Sequence, residues 1–428
     1  MCSERSIVKR IFQVCRSTCG TLIWFALVFC PGPRCAAQST LSLQDAVSRA
    51  LAARSAIRAG AEEVSVAQGL EEQSRLIANP TFQFENQNLR PGMTYSVDVD
   101  TYAYFTQPLD ILGKRKQRIA VASRGVASSQ AEYELVRRQI AESVKESYWA
   151  ARGTQEIRDV LKATVENFQS VVDYHAAQFR AGTIPEQDLL RIQLESERLK
   201  IDANLAVVEA TKARVKLQRE MGQTDFPDLV LTEPLDANKN PLTPLDIQQV
   251  LMQRVEVRAA NAGLEEGQAK AKLEDVSARP DLSVLYGFKR TQLVDTDTGT
   301  NTAMAGIQIT VPITDRNQGN RAAAAAEVRR EEQLLAETEA EVRADYAGAL
   351  REYQLRQTEV VETLQSLQEH ASTISQIAQA AYTQGGTDLL RLLDAKRAQL
   401  DAQLAYVRGM VEYQQSIVNL ESAEGVAP

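Results

Sequence analysis

Two stretches, LSVLYGFKR at residues 282–290 and AMAGIQITV at residues 303–311, alternate apolar and polar side chains. Such a period of two predicts strands with one apolar face. Each stretch has about nine residues, the length that a tilted strand needs to cross a bilayer. The polar segment TQLVDTDTGTNT at 291–302 joins them and is expected to form an exposed loop. We therefore predict a hairpin with an apolar outer face, as in transmembrane β-barrels.

The first half of the chain carries a similar pair of strands, at about 81–88 and 97–107, in which Phe82, Phe84 and Phe105 alternate with polar residues. Four strands cannot close a barrel, and open sheet edges are not tolerated in lipid. Two chains would give eight strands and a nearly filled interior, whereas three would give twelve and a water-filled lumen. The strands form either a soluble sheet or part of a barrel shared by several chains.

An internal duplication relates the two halves of the chain. Five landmarks recur in the same order with offsets of 200 to 204 residues. They are Leu41 and Leu242, Arg54 and Arg254, Pro80 and Pro280, Pro108 and Pro312, and Gly182 and Gly385. We place the first repeat at 38–225 and the second at 244–421, with a proline-rich linker or equatorial region at 226–243 and a C-terminal tail at 422–428.

Each half is predicted to contain a helix, two strands, a very long helix, a glycine turn and a last long helix. The helices are expected at about 43–78, 114–180 and 186–221, and at about 244–278, 318–383 and 387–421. Their Ala and Leu residues recur at spacings of three and four, which indicates coiled-coil packing. A helix of about 65 residues spans roughly 100 Å. The expected fold class is mainly α with a small transmembrane β part.

Residues 1–37 are interpreted as a signal peptide, with basic residues, a short apolar core at 21–30 and a cut after Ala37. An uncleaved membrane anchor is the alternative, and lipidation of the N-terminus stays open. All five cysteines lie at or before Cys35, so no disulfide or thiol chemistry is expected after cleavage. Removing this leader, whose net charge is +4, changes the net charge from -8 to -12. That charge argues against nucleic acid as a partner.

The chain resembles the TolC-type outer-membrane efflux protein family over essentially all residues after the leader. The likeness is carried by LSLQDAV at 41–47 and by QPLDILGKR at 107–115, and the second motif is similar to the CzcC-like metal-efflux branch. The resemblance implies a homotrimer in the Gram-negative outer membrane, with a twelve-stranded β-barrel continued by an α-helical coiled-coil barrel in the periplasm. It also implies a periplasmic adaptor and an inner-membrane pump, often proton-driven, as partners. The expected function is the exit duct of a tripartite efflux system.

The same resemblance implies that the tips of the two helical hairpins meet the adaptor. The matching residues are Ala181, Gly182, Thr183, Gln384, Gly385 and Gly386. The alternative is that these glycines only supply left-handed turns between helices.

A periplasmic gate is the second implied site. The family places acidic residues six and nine positions after the second tip glycine, and these positions are Arg391 and Asp394 here. One acid is thus replaced by a base, and Asp388, expected one turn earlier on the same helix face, could restore the acidic ring. Three carboxylates around a narrow pore raise the local density of cations.

Two further residues, Tyr382 and Asp188, match the family's gate-locking tyrosine and aspartate, whereas the locking arginine is replaced by Thr387. Arg391 could instead pair with Asp188 or Asp394. Ordinary charges on a helix surface are the alternative interpretation.

Other chemistry is not indicated by the sequence. The two histidines, His175 and His370, are far apart, and no Cys or His cluster has metal-ligand spacing. There is no P-loop, nucleophile elbow or dinucleotide-binding pattern, so neither an enzyme nor a cofactor is expected. Alternatives to the efflux duct are a type I secretion duct and a non-channel periplasmic coiled-coil protein. The cargo, whether metal ion, drug or protein, stays open.

Overall fold

The computed structural model describes residues 39–89, 99–236, 242–292 and 299–426. The expected signal peptide and the expected start of a strand at Val97 lie outside the described residues. The helices are α1 Leu43–Ala53, α2 Ser55–Arg75, α3 Lys114–Arg180, α4 Glu186–Glu220, α5 Ile247–Gln253, α6 Val255–Ser277, α7 Gln318–Thr358, α8 Gln365–Thr383 and α9 Leu389–Glu424. The strands are β1 Ser39–Leu41, β2 Thr81–Gln87, β3 Asp100–Leu109, β4 Leu229–Leu231, β5 Asp281–Thr291 and β6 Thr300–Thr310.

Four strands, two from each half, form one antiparallel sheet in the order β2-β3-β5-β6. The register aligns Phe82, Phe105, Tyr286 and Ala305 in one row across the sheet. The aromatic rings of this row lie 5.1 Å and 5.7 Å apart. Large apolar side chains on this face are exposed, including Phe82 at 56%. The apolar alternation in the sequence therefore produces one continuous apolar surface, and β2 and β6 are its outer strands among the residues that the structure describes.

The opposite face of the sheet is polar. Lys289 on β5 forms an ion pair with Asp100 on β3 at 2.9 Å, and its ammonium lies 5.2 Å from the centre of the Tyr102 ring. Such cross-strand pairs stabilise the sheet and fix its register. Within the four described ranges, no helix is both long and apolar enough to span a membrane.

The long helices extend away from the sheet. Near the sheet, four helices lie side by side in the order α2, α3, α6 and α7. This is the order of the strands β2, β3, β5 and β6 to which they are connected in the chain. Farther away, α3 pairs with α4 and α8 pairs with α9, and each pair forms a helical hairpin. Helix α3 has 67 residues, so it spans about 100 Å at 1.5 Å per residue.

The duplication is visible in the backbone and in paired contacts. The first helix of each half is split by an extended residue, Arg54 in one half and Arg254 in the other. Each of these arginines donates a hydrogen bond to a carbonyl in the last turn of the same half's final helix, at Arg219 (3.2 Å) and at Ser422 (3.1 Å). The arginine thus caps the helix end, where carbonyls lack partners. The expectation of one continuous helix at 43–78 and at 244–278 was therefore wrong.

The second long helix also differs from its expected form, because a π-helical turn at Glu359–Leu364 interrupts it between α7 and α8. At this turn Leu364 packs against Gly409 of α9, where an added Cβ would lie 2.1 Å from Leu364 Cδ1. The turn lets Leu364 reach the groove that glycine leaves open. The corresponding helix of the first half, α3, is continuous.

Between the repeats, the segment expected as a linker contributes structure to the core. Its strand β4 pairs in parallel with β1, and Leu41 lies opposite Leu231. Buried Tyr148 on α3 donates a hydrogen bond of 2.9 Å to the carbonyl of Leu41. At the C-terminus, α9 continues to Glu424, and left-handed Gly425 ends it. The expected tail at 422–428 therefore begins as helix, with Glu424 buried.

Candidate functional site

The tip of the first hairpin is a helix C-terminal turn built around Gly182. Its φ of 73° is in the left-handed region, which glycine adopts without a steric penalty. The amide of Gly182 donates to Phe179 O at 2.9 Å, and the amide of Thr183 donates to Gln178 O at 3.0 Å. This pair of backbone hydrogen bonds is the Schellman motif. Ala181, Gly182 and Thr183 are all exposed.

The second tip repeats this geometry at Gly385, with a φ of 74°. The amide of Gly385 donates to Tyr382 O at 3.0 Å, and the amide of Gly386 donates to Ala381 O at 2.8 Å. Gln384, Gly385 and Gly386 are exposed as well. The two tips are thus equivalent surfaces on the ends of the two hairpins.

Asp388 does not lie on the helix face that the sequence suggested. It has an extended conformation and is the N-cap of α9, where its carboxylate accepts a hydrogen bond of 2.9 Å from the amide of Arg391. The corresponding residue of the first hairpin is Pro185, which provides no side-chain cap to α4. The side chain of Asp388 stabilises the helix start, where amides lack partners and negative charge is favourable.

Arg391 and Asp394 are exposed on α9 and lie within one turn of each other. Among the described residues of the single chain, Arg391 forms no ion pair, so the suggested pairing with Asp188 or Asp394 is not observed. The structure does not bring Arg391 together with Asp188. Both residues instead occupy the third position of their own helices, α9 and α4.

Tyr382 contacts His175, a residue that the sequence analysis did not place in this site. Nε2 of His175, on α3, lies 2.8 Å from the Tyr382 hydroxyl oxygen on α8. The two rings are stacked with centroids 5.7 Å apart, and His175 is only 2% exposed. This contact joins the two hairpins near their tips.

The charge of Asp188 also reaches this contact. Burial raises the pKa of the Tyr382 phenol, and the negative charge of Asp188 raises it further. Tyr382 therefore stays protonated at all physiological pH values and keeps its hydroxyl proton available for a hydrogen bond. Of the predicted gate residues, the structure brings Tyr382 and Asp188 together and leaves Asp388, Arg391 and Asp394 on the exposed start of α9.

A second link between the hairpins is the ion pair of Glu195 on α4 with Arg397 on α9. Nε of Arg397 donates to Oε1 of Glu195 at 2.8 Å, and its second donor contacts Oε2. The Glu195 side chain is 7% exposed, whereas that of Arg397 is 48% exposed. The bond to Glu195 raises the pKa of Arg397. A bidentate pair of this kind fixes the relative position of the two helices.

No signal in one sequence marks these two links. His175 occupies a helix position like its neighbours, and its partner is about two hundred residues away. Glu195 lies in a charged stretch, QLESERLK, in which nothing distinguishes the buried glutamate from the exposed Glu197. Three or more His, Cys, Asp or Glu side chains do not come together as a metal-binding group anywhere in the described ranges.

Comparison with known proteins agrees with this architecture. The model of the outer membrane efflux protein family matches residues 46–223 and again residues 247–426. The cobalt-zinc-cadmium resistance protein CzcC of Cupriavidus metallidurans is 25% identical over 414 residues, which are 97% of this chain and 96% of that protein.

Two solved structures have the same fold. A crystal structure of CusC matches with a TM-score of 0.74 and 19% identity, covering 90% of this chain and 92% of that one. The open state of the MtrE outer membrane channel of Neisseria gonorrhoeae matches with a TM-score of 0.73 and 19% identity, covering 90% of this chain and 88% of that one. The expected mainly helical, duplicated fold is confirmed.

The family model covers each half of the chain once, as the internal duplication requires. The chain therefore belongs to the outer membrane efflux protein family, and it is an outer-membrane channel protein of the tripartite efflux systems of Gram-negative bacteria.

Proposed function

We propose that three copies of this chain form one closed channel, in which β2 of each copy pairs with β6 of the next. The observation that carries this proposal is the four-stranded sheet itself, which has an exposed apolar face and, in the described part of the chain, ends at β2 on one side and β6 on the other. Unpaired backbone groups are costly in lipid, so the edges need partners there. A ring of identical copies provides them, since each β6 edge faces a β2 edge.

The helices next to the sheet support the same closure. Helix α2 lies at one side of the chain and exposes Val66 and Leu70, and Ile77 is exposed just after the helix ends. Helix α7 lies at the other side, and its alanine-rich first turns expose the small residues Ala322, Ala323, Ala325 and Ala326. Large apolar side chains of α2 can pack on the flat alanine surface of the next copy's α7.

A heat-modifiable trimer in the outer-membrane fraction, seen by semi-native gel electrophoresis, is the expected result. Replacing Leu70 by Glu should reduce the trimer band, because it places a charge in the contact between copies. Replacing exposed Lys212 by Glu, on the helical hairpin, is the matched control. A monomer in the soluble periplasmic fraction would contradict the proposal.

We infer that the cargo is a divalent metal cation rather than a lipophilic drug or a secreted protein. The similarity to CzcC over 97% of the chain supports this, as does the motif QPLDILGKR at 107–115. The test is growth of a deletion strain on cobalt, zinc, cadmium and a panel of lipophilic drugs, with and without the gene restored. Sensitivity to drugs alone would contradict a metal cargo.

The exposed start of α9 is proposed as the narrow part of the conduit. Three copies of Asp394 would attract cations, and three copies of Arg391 would reduce that attraction. In planar bilayers, Arg391→Ala should therefore increase the preference for cations over anions. Arg408→Ala, an exposed arginine farther along the same helix, is the control. An unchanged reversal potential for Arg391→Ala would exclude this site as the constriction.

The hairpin tips are proposed to contact a periplasmic adaptor, which in turn joins the channel to an inner-membrane pump. Both tips expose the same turn, so three copies present six equivalent surfaces. A photo-crosslinking residue at Thr183 or Gln384 should capture the adaptor in cells, and the same residue at Lys212 should not. Capture at Lys212 but at neither tip would refute the assignment.

A further inference from the structure

The connections between the four-stranded sheet and the long helices lie together at one end of the sheet, where β3 and β6 end and β2 and β5 begin. We call these connections and the adjoining helix turns the junction, which comprises residues 74–80, 110–118, 274–281 and 311–321. In a sheet that crosses the outer membrane, with its helices in the periplasm, this end lies at the periplasmic surface of the bilayer. The junction is then at the level of the lipid headgroups.

Exposed isoleucine and valine side chains extend the apolar face of the sheet into the junction. Leu109 and Ile309 belong to one row of that face. Two positions further along each strand direction, Ile111 is 67% exposed and Val311 is 62% exposed, and Ile313 follows at 72%. Burying such side chains among acyl chains is favourable, because it removes apolar surface from water. The apolar face therefore reaches the level where the headgroups begin.

Two exposed arginines lie beside these apolar side chains. Nε of Arg316 donates a hydrogen bond of 3.2 Å to the carbonyl oxygen of Ile313. Nη1 of Arg279 donates a hydrogen bond of 2.7 Å to the carbonyl oxygen of Leu112, the residue after Ile111. Neither guanidinium forms an ion pair with a carboxylate in the described ranges. A guanidinium has five N–H donors, so most donors of both arginines remain available to an anion.

The remaining charges leave the junction net positive. Within the described part of the chain, its ion pairs join Arg75 to Glu71, Lys114 to Asp281, Arg118 to Asp110 and Arg321 to Asp275. The junction cations outside these pairs are Arg115, Lys116, Arg279 and Arg316, and the carboxylates outside them are Glu274 and Asp315. Unpaired cations thus outnumber unpaired carboxylates, although the whole chain has a net charge of -8. A local excess of positive charge next to apolar side chains fits an anionic membrane surface.

We propose that the junction binds anionic phospholipids of the inner leaflet of the outer membrane, with their phosphates on Arg279 and Arg316 and their acyl chains on Ile111 and Ile313. This inference rests on the proposed barrel, because the junction reaches the headgroups only if the sheet crosses the bilayer. A planar guanidinium binds two phosphate oxygens at once. The apolar neighbours favour a lipid over a soluble phosphate, and the unpaired cations favour an anionic headgroup over a zwitterionic one. Lipids bound in this way fix the depth of the barrel in the membrane.

The test is native mass spectrometry of the purified channel in neutral detergent, titrated with phosphatidylglycerol, phosphatidylethanolamine and lipid A. Wild type should bind phosphatidylglycerol more tightly than phosphatidylethanolamine. Each basic residue at a membrane surface contributes about fivefold to the binding of anionic lipid. Replacing both Arg279 and Arg316 by Gln should therefore reduce the preference by about 25-fold. Arg408→Gln, which removes an exposed arginine of α9, is the matched control and should keep the preference.

Two further measurements separate charge from geometry. Replacing both arginines by Lys keeps the charge and removes the planar fork, so the preference should fall less than in the double Gln variant. The preference of wild type should also shrink at high ionic strength, because salt screens exposed charges. This second measurement needs no variant and holds even where a substitution prevents folding.

Equal binding of the two phospholipids by wild type overturns the inference. A preference that survives in the folded double Gln variant, or tighter binding of lipid A than of phosphatidylglycerol, overturns it as well. If Arg316 instead contacts the next copy, Arg316→Gln weakens the trimer band on semi-native gels and leaves the lipid preference unchanged. Failure of the proposed barrel gives a different result. The chain is then a monomer that retains neither phospholipid, whereas a barrel without a lipid site at the junction retains both equally.

Discussion

The ion pair of Glu195 with Arg397 leads to a prediction that depends on unequal burial. Its carboxylate is 7% exposed and its guanidinium 48% exposed. After Glu195→Gln, Arg397 can turn into water, and we expect a cost of about 1 kcal/mol for the lost charge-assisted bond. After Arg397→Ala, the carboxylate stays buried without a partner. Replacing the more exposed partner, Arg397, should therefore cause the larger loss of stability.

The size of that loss follows from the exposure of the site. Removing one partner of a fully buried pair costs roughly 3–5 kcal/mol. Because the Arg397 side chain is half exposed, water can reach Glu195 in the variant. We therefore expect a loss of stability of about 2–3 kcal/mol. The double variant Glu195→Gln with Arg397→Ala should cost no more than Glu195→Gln alone, because the orphaned charge is gone.

Hydrogen exchange of the purified trimer, read by mass spectrometry in peptides around 195 and 397, measures the local opening. At neutral pH, Arg397→Ala should exchange about 30- to 150-fold faster than wild type there, the equivalent of 2–3 kcal/mol. Arg408→Ala is the control for loss of an exposed arginine on α9. A larger effect for Glu195→Gln than for Arg397→Ala would refute the reasoning.

Three further predictions concern other parts of the chain. Burial raises the pKa of Glu424, so Glu424→Gln should raise the melting temperature at neutral pH, and the gain should vanish in acid, where wild-type Glu424 is protonated. On Gly287 a Cβ would lie 2.3 Å from the carbonyl oxygen of Ala103. Gly287→Ala should therefore reduce the amount of heat-modifiable trimer, whereas Gly306→Ala, with nothing within 4 Å, should not. Asp388→Ala should cost about 1 kcal/mol by removing a helix cap, measured as faster hydrogen exchange at the start of α9.

Local pattern was a reliable guide where one element decides its own structure. Helix α3 spans Lys114–Arg180, as its spacing of apolar residues indicates. Strands β5 and β6 lie where the apolar residues alternate. The left-handed turns at Gly182 and Gly385 follow from the same rule, since glycine is favoured where φ is positive.

Features that depend on a distant partner could not be predicted in this way. Arginine is a good helix former, yet Arg54 and Arg254 break their helices to cap the ends of α4 and α9. The π-helical turn at 359–364 exists where Leu364 meets Gly409 across two helices. Whether Asp388 caps α9 or lies on its face likewise depends on the residue at which the helix begins, and the sequence pattern does not locate that boundary to within one or two residues.

By itself, the sequence determined the duplication, the long helices, the alternating strands and the membership of a channel family. These are periodic properties, and each is repeated over many residues. Only the tertiary structure decided how the hairpins are joined, through His175 with Tyr382 and through Glu195 with Arg397. Both links connect residues about two hundred positions apart, so they arise from the packing of four helices and leave no local pattern in the chain.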